Sequence, residues 1–170
     1  MATTNNTTDQ TTRQVGKMTL SLPSDREITL TRTFDAPRRL VWEAYTRAEH
    51  VRQWWGQRGS TMPVCELDLR PGGAWRFVQR ADNGEEYAFR GEFREIVPPE
   101  KLVQTFEWEG LPGHISVETL IFEEQDGKTT LTGTSVFDSV EDRDGMIQSG
   151  MESGAAESWD RLEEHVSSMV

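Results

Sequence analysis

The segment Phe34–Gly56 constrains the fold more than any other part of the chain, because it encodes two short helices after a strand. Pro37 suits the first turn of a helix, where its missing N–H would have no partner in any case. Apolar residues then recur at helical spacing over residues 41–51 and end in the pair Trp54 and Trp55. Two short helices with this much apolar surface need a concave surface to cover, so the remaining chain is expected to supply one.

Between residues 27 and 137, outside those helices, the chain has the period of half-buried strands. Ile28, Leu30 and Phe34 alternate with threonines, and similar runs follow, separated by turn sequences such as Arg-Pro-Gly-Gly and Gln-Asp-Gly. Short turns join antiparallel neighbours. The sequence therefore predicts a curved antiparallel sheet of about six to seven strands, apolar on one face and charged on the other, with a bend or bulge at Gly91.

The C-terminal residues predict one long helix that begins at Ser139, a suitable N-cap, with acidic residues in its first turn. Its glycines, among them Gly150 and Gly154, each cost about 1 kcal/mol relative to alanine. Small residues there are expected to let the helix lie close to the sheet or to leave room for a guest. Asp160 is assigned to its solvated face. The fold class is therefore α+β, with a sheet wrapped around a long C-terminal helix.

Length and composition suit one domain, over residues 17–170. Residues 1–16 consist mainly of Thr, Asn and Gln and are predicted to be a disordered N-terminal extension. The 29 acidic and 18 basic residues give a net charge of −11, which argues against nucleic acid and anionic membranes as partners. A single cysteine and the lack of a secretory pattern predict a cytoplasmic protein.

Several separated motifs, in the same order, resemble the Hsp90-ATPase-activator-homologue-like (AHSA-type) branch of the START/Bet v 1-like (SRPBCC) superfamily. The motifs are RTFDAPRRLVWEAYT (residues 32–46), WWG (54–56), DLRPGGAWRF (68–77), NGEEYAFRGEFREIVPPEKLV (83–103) and GMESGAAESWDRLEEHV (150–166). The resemblance implies the helix-grip fold, in which sheet and long helix enclose a cavity for small hydrophobic molecules. The superfamily includes lipid and hormone binders, polyketide cyclases and chaperone cofactors, and most bacterial members of the branch have no assigned reaction, so fold alone does not give function.

No motif in the sequence predicts a metal or cofactor. The three histidines fall in different predicted elements, and neither HExxH nor paired-cysteine spacing occurs. Nucleotide-binding glycine motifs and the GxSxG elbow are also missing. We therefore expect neither a metal nor a cofactor.

Inward aromatic and apolar side chains are the candidate ligand contacts, although each can equally be a core residue. They are Trp54, Trp55, Trp75, Phe77, Tyr87, Phe89, Phe106, Trp108, Leu120, Phe122, Met151, Ser158 and Trp159. Together they resemble the apolar lining of small-molecule sites, although packing is the favoured role for the Trp54–Trp55 pair. Arg32, Gln79 and Glu118 fall in register with apolar neighbours. A charge there is costly unless paired, so these groups either pair with other charges or solvent, which is favoured, or orient a ligand.

Three functions remain open at this stage. The favoured one is the binding of a small hydrophobic molecule, lipid-, polyketide- or aromatic-like, between sheet and C-terminal helix. The second is a cyclase- or hydrolase-type enzyme, for which Glu118 is the one catalytic candidate. The third is an Hsp90-type chaperone cofactor, which the charged outer strands disfavour, since such a role needs an exposed apolar patch. Pairing with a second copy through a sheet edge also stays open.

Overall fold

The computed structural model describes residues 12–170, and within them nine strands form one sheet. The strands are β1 (Thr12–Val15), β2 (Met18–Ser21), β3 (Glu27–Phe34), β4 (Thr61–Leu67), β5 (Ala74–Arg80), β6 (Glu86–Val97), β7 (Lys101–Trp108), β8 (Ile115–Gln125) and β9 (Lys128–Val136). The helices of this part are α1 (Arg38–Thr46), α2 (Ala48–Trp54), α3 (Val140–Gln148) and α4 (Met151–Met169).

The sheet is antiparallel throughout, with the order β1-β2-β3-β9-β8-β7-β6-β5-β4. Strands β4 to β9 follow one another as a meander, as their short turns predict, and β3 closes against β9. The α+β helix-grip architecture is therefore confirmed. The strand number is not, because the sheet has nine strands rather than six to seven.

Residues 12–15 correct part of the disorder prediction, because Thr12–Val15 forms strand β1. This strand has almost no apolar surface to bury, which is why its composition resembles a disordered segment. Backbone pairing with β2 and an ion pair of 2.5 Å between Arg13 and Glu152 of α4 hold it in place. Residues 1–11 of the predicted extension lie outside the described residues.

The C-terminal helix is not continuous as predicted but is divided into α3 and α4. Ser139 caps α3 as expected, since its Oγ accepts a hydrogen bond of 3.1 Å from the Asp142 N–H. The break lies at Gly150, whose φ of 80° is a left-handed conformation that favours glycine. Glycine at this position therefore separates the two helices.

The two helices after β3 occur where the sequence predicts them and are joined through Trp54. Its Nε1 donates a hydrogen bond of 2.9 Å to the Ala44 carbonyl, so the end of α2 is fixed to α1. Trp54 is only 1% exposed, which supports the packing role favoured for this residue. The helix α1 packs against β8 and β9, and α4 lies against both α1 and α2.

Side chains at the C-terminal end of α4 are more deeply buried than those at its N-terminal end. Trp159, Leu162 and Val166 of the C-terminal half are buried in the main core cluster with residues such as Phe34 and Phe122. None of residues 151–158 in the N-terminal half is buried. The second half of α4 thus contributes fully buried residues to the core, whereas the first half contributes partly accessible ones.

Candidate functional site

The inner face of the sheet carries one row of polar side chains at the level of Glu118. On β8, Glu118 pairs in register with Gln104 of β7 and with Ser135 of β9. Gln104 Nε2 donates a hydrogen bond of 3.1 Å to Glu118 Oε1, and Ser135 is also hydrogen-bonded to this carboxyl. Glu118 thus lies inward, as its register with Leu120 and Phe122 predicts.

Burial raises the pKa of the Glu118 carboxyl, against the opposite effect of its hydrogen bonds to Gln104 and Ser135. Glu118 nevertheless keeps part of its surface accessible. Glu118 therefore lies on the inner face of the sheet without being fully covered.

Four further inward side chains combine an interior position with partial accessibility. They are Leu30 on β3, Phe89 on β6, Phe106 on β7 and Ala155 on α4, and Ala155 shares the face of Trp159, four residues along the helix. We call Glu118 and these four residues the inner patch. Leu30, Phe89, Phe106 and Ala155 all pack against the main core cluster.

Aromatic rings form a continuous wall that includes Phe89 and Phe106 of the inner patch. The Trp55 ring lies 5.3 Å from that of Phe77 and 5.1 Å from that of Phe89, centroid to centroid. Phe89 lies 5.5 Å from Phe106, and Phe106 lies 5.9 Å from Trp75. Edge-to-face and tilted contacts of this kind are preferred geometries for aromatic pairs.

Gly91 makes room for this wall. A Cβ there would lie 1.9 Å from the Thr105 carbonyl oxygen and 2.3 Å from Trp75 Nε1. The Trp75 indole passes over the glycine and donates a hydrogen bond of 3.2 Å to that carbonyl. The bulge expected at Gly91 lies instead between Phe93 and Glu95.

Tyr45 and Trp159 form a second polar pair on the inner side. The Tyr45 hydroxyl accepts a hydrogen bond of 2.7 Å from Trp159 Nε1, and the Tyr45 ring lies edge-on to Phe122 at 5.7 Å. Burial raises the pKa of the Tyr45 phenol, and the charge of Glu118 adds to this effect. In the sequence, Tyr45 is recognisable only as part of the apolar stripe of α1. The Tyr45 hydroxyl could have indicated a polar contact at this place, since a buried tyrosine usually has a hydrogen-bond partner.

Arg32 lies inward and is paired, as favoured from the sequence. Its Nη1 contacts Asp160 Oδ1 at 2.5 Å, and its guanidinium lies over the Phe34 ring at 5.1 Å from the centroid. Asp160 is half exposed, as its assignment to the solvated face of the helix predicts, and it pairs with Arg32 from that position. The sequence could not identify Asp160 as the partner of Arg32, because the two residues are 128 positions apart and Asp160 is half exposed.

Gln79 and Ser158 meet near the end of α2. Ser158 Oγ accepts a hydrogen bond of 2.9 Å from the Gly56 N–H and donates one of 3.1 Å to the Gly56 carbonyl. Gln79 is buried beside the same glycine, where its Cδ lies 3.0 Å from the place of a Cβ. Both side chains thus contact the loop after Trp55, and Ser158 is held by protein groups.

The predicted contact residues divide into three groups by accessibility. The buried ones are Trp54, Trp75, Phe77, Leu120, Phe122 and Trp159. The partly accessible ones are Trp55, Phe89, Phe106, Met151 and Ser158. The exposed ones are Tyr87 and Trp108, about two-fifths exposed near the ends of their strands. The ligand contacts of all three groups stay predictions.

Two open depressions lie on the outer surface, and both are lined by polar and charged side chains. One, of about 350 Å³, is lined by Gln53, Arg58, Arg161, Glu164 and His165. The other, of about 430 Å³, is lined by Thr33, Gln125, Asp126, Lys128 and Thr130. Neither has the apolar lining expected for a hydrophobic guest.

His50 and His165, which the sequence placed in separate elements, meet between α2 and α4. His50 Nδ1 lies 2.9 Å from His165 Nε2. Over residues 12–170, no group of three or more His, Cys, Asp or Glu side chains is arranged to hold a metal ion. None of the helices in this range is both long and apolar enough to cross a bilayer.

The curved sheet closed by a C-terminal helix and the half-buried inner face define a helix-grip protein. Solved structures share this fold. A protein from Rhodobacter sphaeroides is 22% identical with a TM-score of 0.84, over 90% of this chain and 99% of that one. One from Nitrosomonas europaea is 21% identical with a TM-score of 0.78, over 87% and 98%. One from Staphylococcus epidermidis is 27% identical with a TM-score of 0.73, over 88% and 94%.

A family profile narrows the class further. The profile described as "Activator of Hsp90 ATPase homolog 1-like protein" matches residues 35–167. The chain therefore belongs to the family of Activator of Hsp90 ATPase homolog 1-like proteins. A search of curated proteins gives no significant match.

Proposed function

We propose that the protein binds a small, largely apolar molecule between the sheet and the N-terminal half of α4. The observation that carries the proposal is the inner patch, whose side chains point inward and remain partly accessible. In a fully packed core such side chains would be covered, as Leu162 and Val166 are at the other end of α4.

Apolar burial would supply most of the binding free energy, at about 25 cal/mol for each Å² removed from water. The wall from Trp55 to Phe106 offers flat aromatic surface to a guest. Glu118, Arg32 and Gln79 are the polar groups that would orient it, and Tyr45 joins them through its hydroxyl. A few polar groups in an apolar lining are typical of small-molecule sites.

Titration with N-phenyl-1-naphthylamine, a neutral fluorescent probe, tests this proposal. We expect saturable one-to-one binding, and loss of that binding in the variant Ala155→Phe, which fills the proposed cavity. Ser167→Phe, an exposed position on the same helix, is the matched control and should bind as the wild type does.

Stability gives an independent readout of the same variant. If a cavity is present, Ala155→Phe is accommodated, whereas overpacking a filled core costs about 1–3 kcal/mol. A strongly destabilised Ala155→Phe protein, or probe binding that is equal in both variants, would contradict the proposal.

An enzyme acting on an aromatic or polyketide-like compound is the second candidate, and Glu118 favours it. This carboxyl lies on the inner face with a raised pKa, as a general acid near neutral pH requires. Native mass spectrometry of the protein from its own host would separate the candidates. A co-purified compound that changes chemically with wild type but not with Glu118→Gln supports catalysis, and an unchanged compound supports binding alone.

A role as a cofactor of an Hsp90-type chaperone is less well supported. The outer face of β5–β7 carries ion pairs, such as Arg76–Glu109 and Arg90–Glu107, in place of an apolar docking surface. Co-precipitation of Hsp90 from the native cell with wild-type protein would favour this role.

A further inference from the structure

Glu118 is an inward carboxyl without a cationic partner. Within residues 12–170, the groups that stabilise its charge are two neutral side chains, Gln104, whose hydrogen bond is 3.1 Å long, and Ser135. A carboxylate removed from bulk water is costly unless an opposite charge compensates it. The protein therefore supplies hydrogen bonds to this group but no positive charge.

The inward cation Arg32 does not serve as that partner. It pairs with Asp160 of α4. Ser135 of β9 is in register with both Glu118 and Ile28 of β3, and Arg32 lies four residues beyond Ile28. Four residues of a strand span about 13 Å, so the two charged groups lie at different levels of the sheet.

Solvent reaches the inner face at the level of Glu118. Glu118 is partly accessible, and so are Gln104 and Ser135 on either side of it. Along the same face of β7, Phe106 is partly accessible and Trp108, the last residue of the strand, is 40% exposed. A guest can therefore approach the carboxyl along β7 from the end of the strand.

Aromatic rings flank this approach. Phe106 is two residues beyond Gln104, the residue in register with Glu118, and such diagonal neighbours are within reach of each other when the side chains are long. The Phe106 ring lies 5.5 Å from that of Phe89, which is in register with Trp108. The faces of aromatic rings attract cations. A carboxylate beside aromatic rings is therefore suited to an organic ammonium group.

The overall charge of the chain favours the same class of guest. The 29 acidic and 18 basic residues give a net charge of −11. A field of this sign attracts small cations and repels anions.

We propose that Glu118 binds the ammonium group of an amphipathic organic amine, while the apolar part of the amine lies against Phe106 and Phe89. This inference rests on the proposed function and narrows the guest to a cation. An ammonium N–H donates a hydrogen bond to the carboxylate and compensates its charge at once, whereas a neutral donor supplies only the hydrogen bond.

The test compares 1-naphthylmethylamine, a cation at pH 7, with 1-naphthylmethanol, a neutral compound of nearly the same shape, each displacing N-phenyl-1-naphthylamine. The wild type should bind the amine at least about tenfold more tightly than the alcohol, as expected for a hydrogen bond between charged groups. Glu118→Gln keeps the shape of the side chain and removes its charge. It should lose the preference for the amine while its affinity for the alcohol stays the same.

Glu123→Gln is the matched control, because Glu123 is an exposed residue of the same strand and its replacement changes the net charge equally. This variant should keep the preference for the amine. Equal affinity of the wild type for amine and alcohol, a preference that survives in Glu118→Gln, or one that Glu123→Gln removes as fully, would overturn the inference and leave the proposed function standing. Failure of both compounds and of the fluorescent probe to bind would instead refute the proposed function.

Discussion

Replacing Tyr45 by phenylalanine tests how the structure joins α1 to α4. The variant keeps the ring, and with it the contacts to Phe122 at 5.7 Å and to Trp54 at 4.7 Å. It removes only the hydroxyl that accepts the 2.7 Å hydrogen bond from Trp159 Nε1. Trp159 is buried, so its N–H would be left without an acceptor.

The expected cost follows from that loss. Leaving a buried donor unsatisfied costs about 1–3 kcal/mol, more than the net gain from an ordinary hydrogen bond. For a domain of this size, each kcal/mol lowers Tm by about 2–4 °C. Urea unfolding followed by tryptophan fluorescence measures the change in the free energy of unfolding directly.

Tyr87, the other tyrosine of the chain, provides the matched control. Its hydroxyl also forms a hydrogen bond of 2.7 Å, but it does so as the donor, to Glu85, on the exposed surface. Tyr87→Phe should therefore change stability by no more than about 0.5 kcal/mol. If Tyr45→Phe is as neutral as Tyr87→Phe, the Tyr45 hydroxyl does not satisfy the indole, and the description of this contact is incorrect.

Two further predictions concern the charge on the inner face and the packing of glycines. Because burial raises the pKa of Glu118 above its unfolded value, its charged form lowers stability at neutral pH. Glu118→Gln should therefore gain stability relative to wild type as pH rises from about 4 to 8, while exposed Glu123→Gln shows no such trend. Gly91→Ala, whose Cβ would collide with the Thr105 carbonyl, should destabilise by more than about 2 kcal/mol. Gly154→Ala, with open space around the new Cβ, should stabilise by about 0.5–1 kcal/mol, and thermal unfolding of the pair checks both signs.

The parts of the fold that depend on local pattern could be predicted from the sequence. Alternation and turn residues gave the antiparallel meander, and helical spacing gave α1 and α2. Strand β1 could not be found this way, because its stability comes from pairing with β2 rather than from its own composition. The break at Gly150 was equally hidden, since a glycine within a helical pattern signals either a tolerated residue or a helix end.

Within the candidate site, the alternation of residues along each strand predicted which side chains point inward, but it did not predict which groups they contact. The inward positions of Arg32 and Glu118 followed from their strands. Their partners Asp160 and Gln104, like the Tyr45–Trp159 contact, come from distant segments that only the folded chain brings together. The sequence also could not distinguish aromatic side chains that are buried in the core from those that remain partly accessible, because the same residue types occur in both places.

Heteronuclear NMR during titration with N-phenyl-1-naphthylamine tests the central claim most directly. Binding between the sheet and the N-terminal half of α4 should shift the amide signals of Leu30, Phe89, Phe106 and Ala155 in a saturable way. The signals of Val166, at the filled end of α4, should stay in place. Shifts confined to residues on the outer surface, with the inner patch unaffected, would contradict the account.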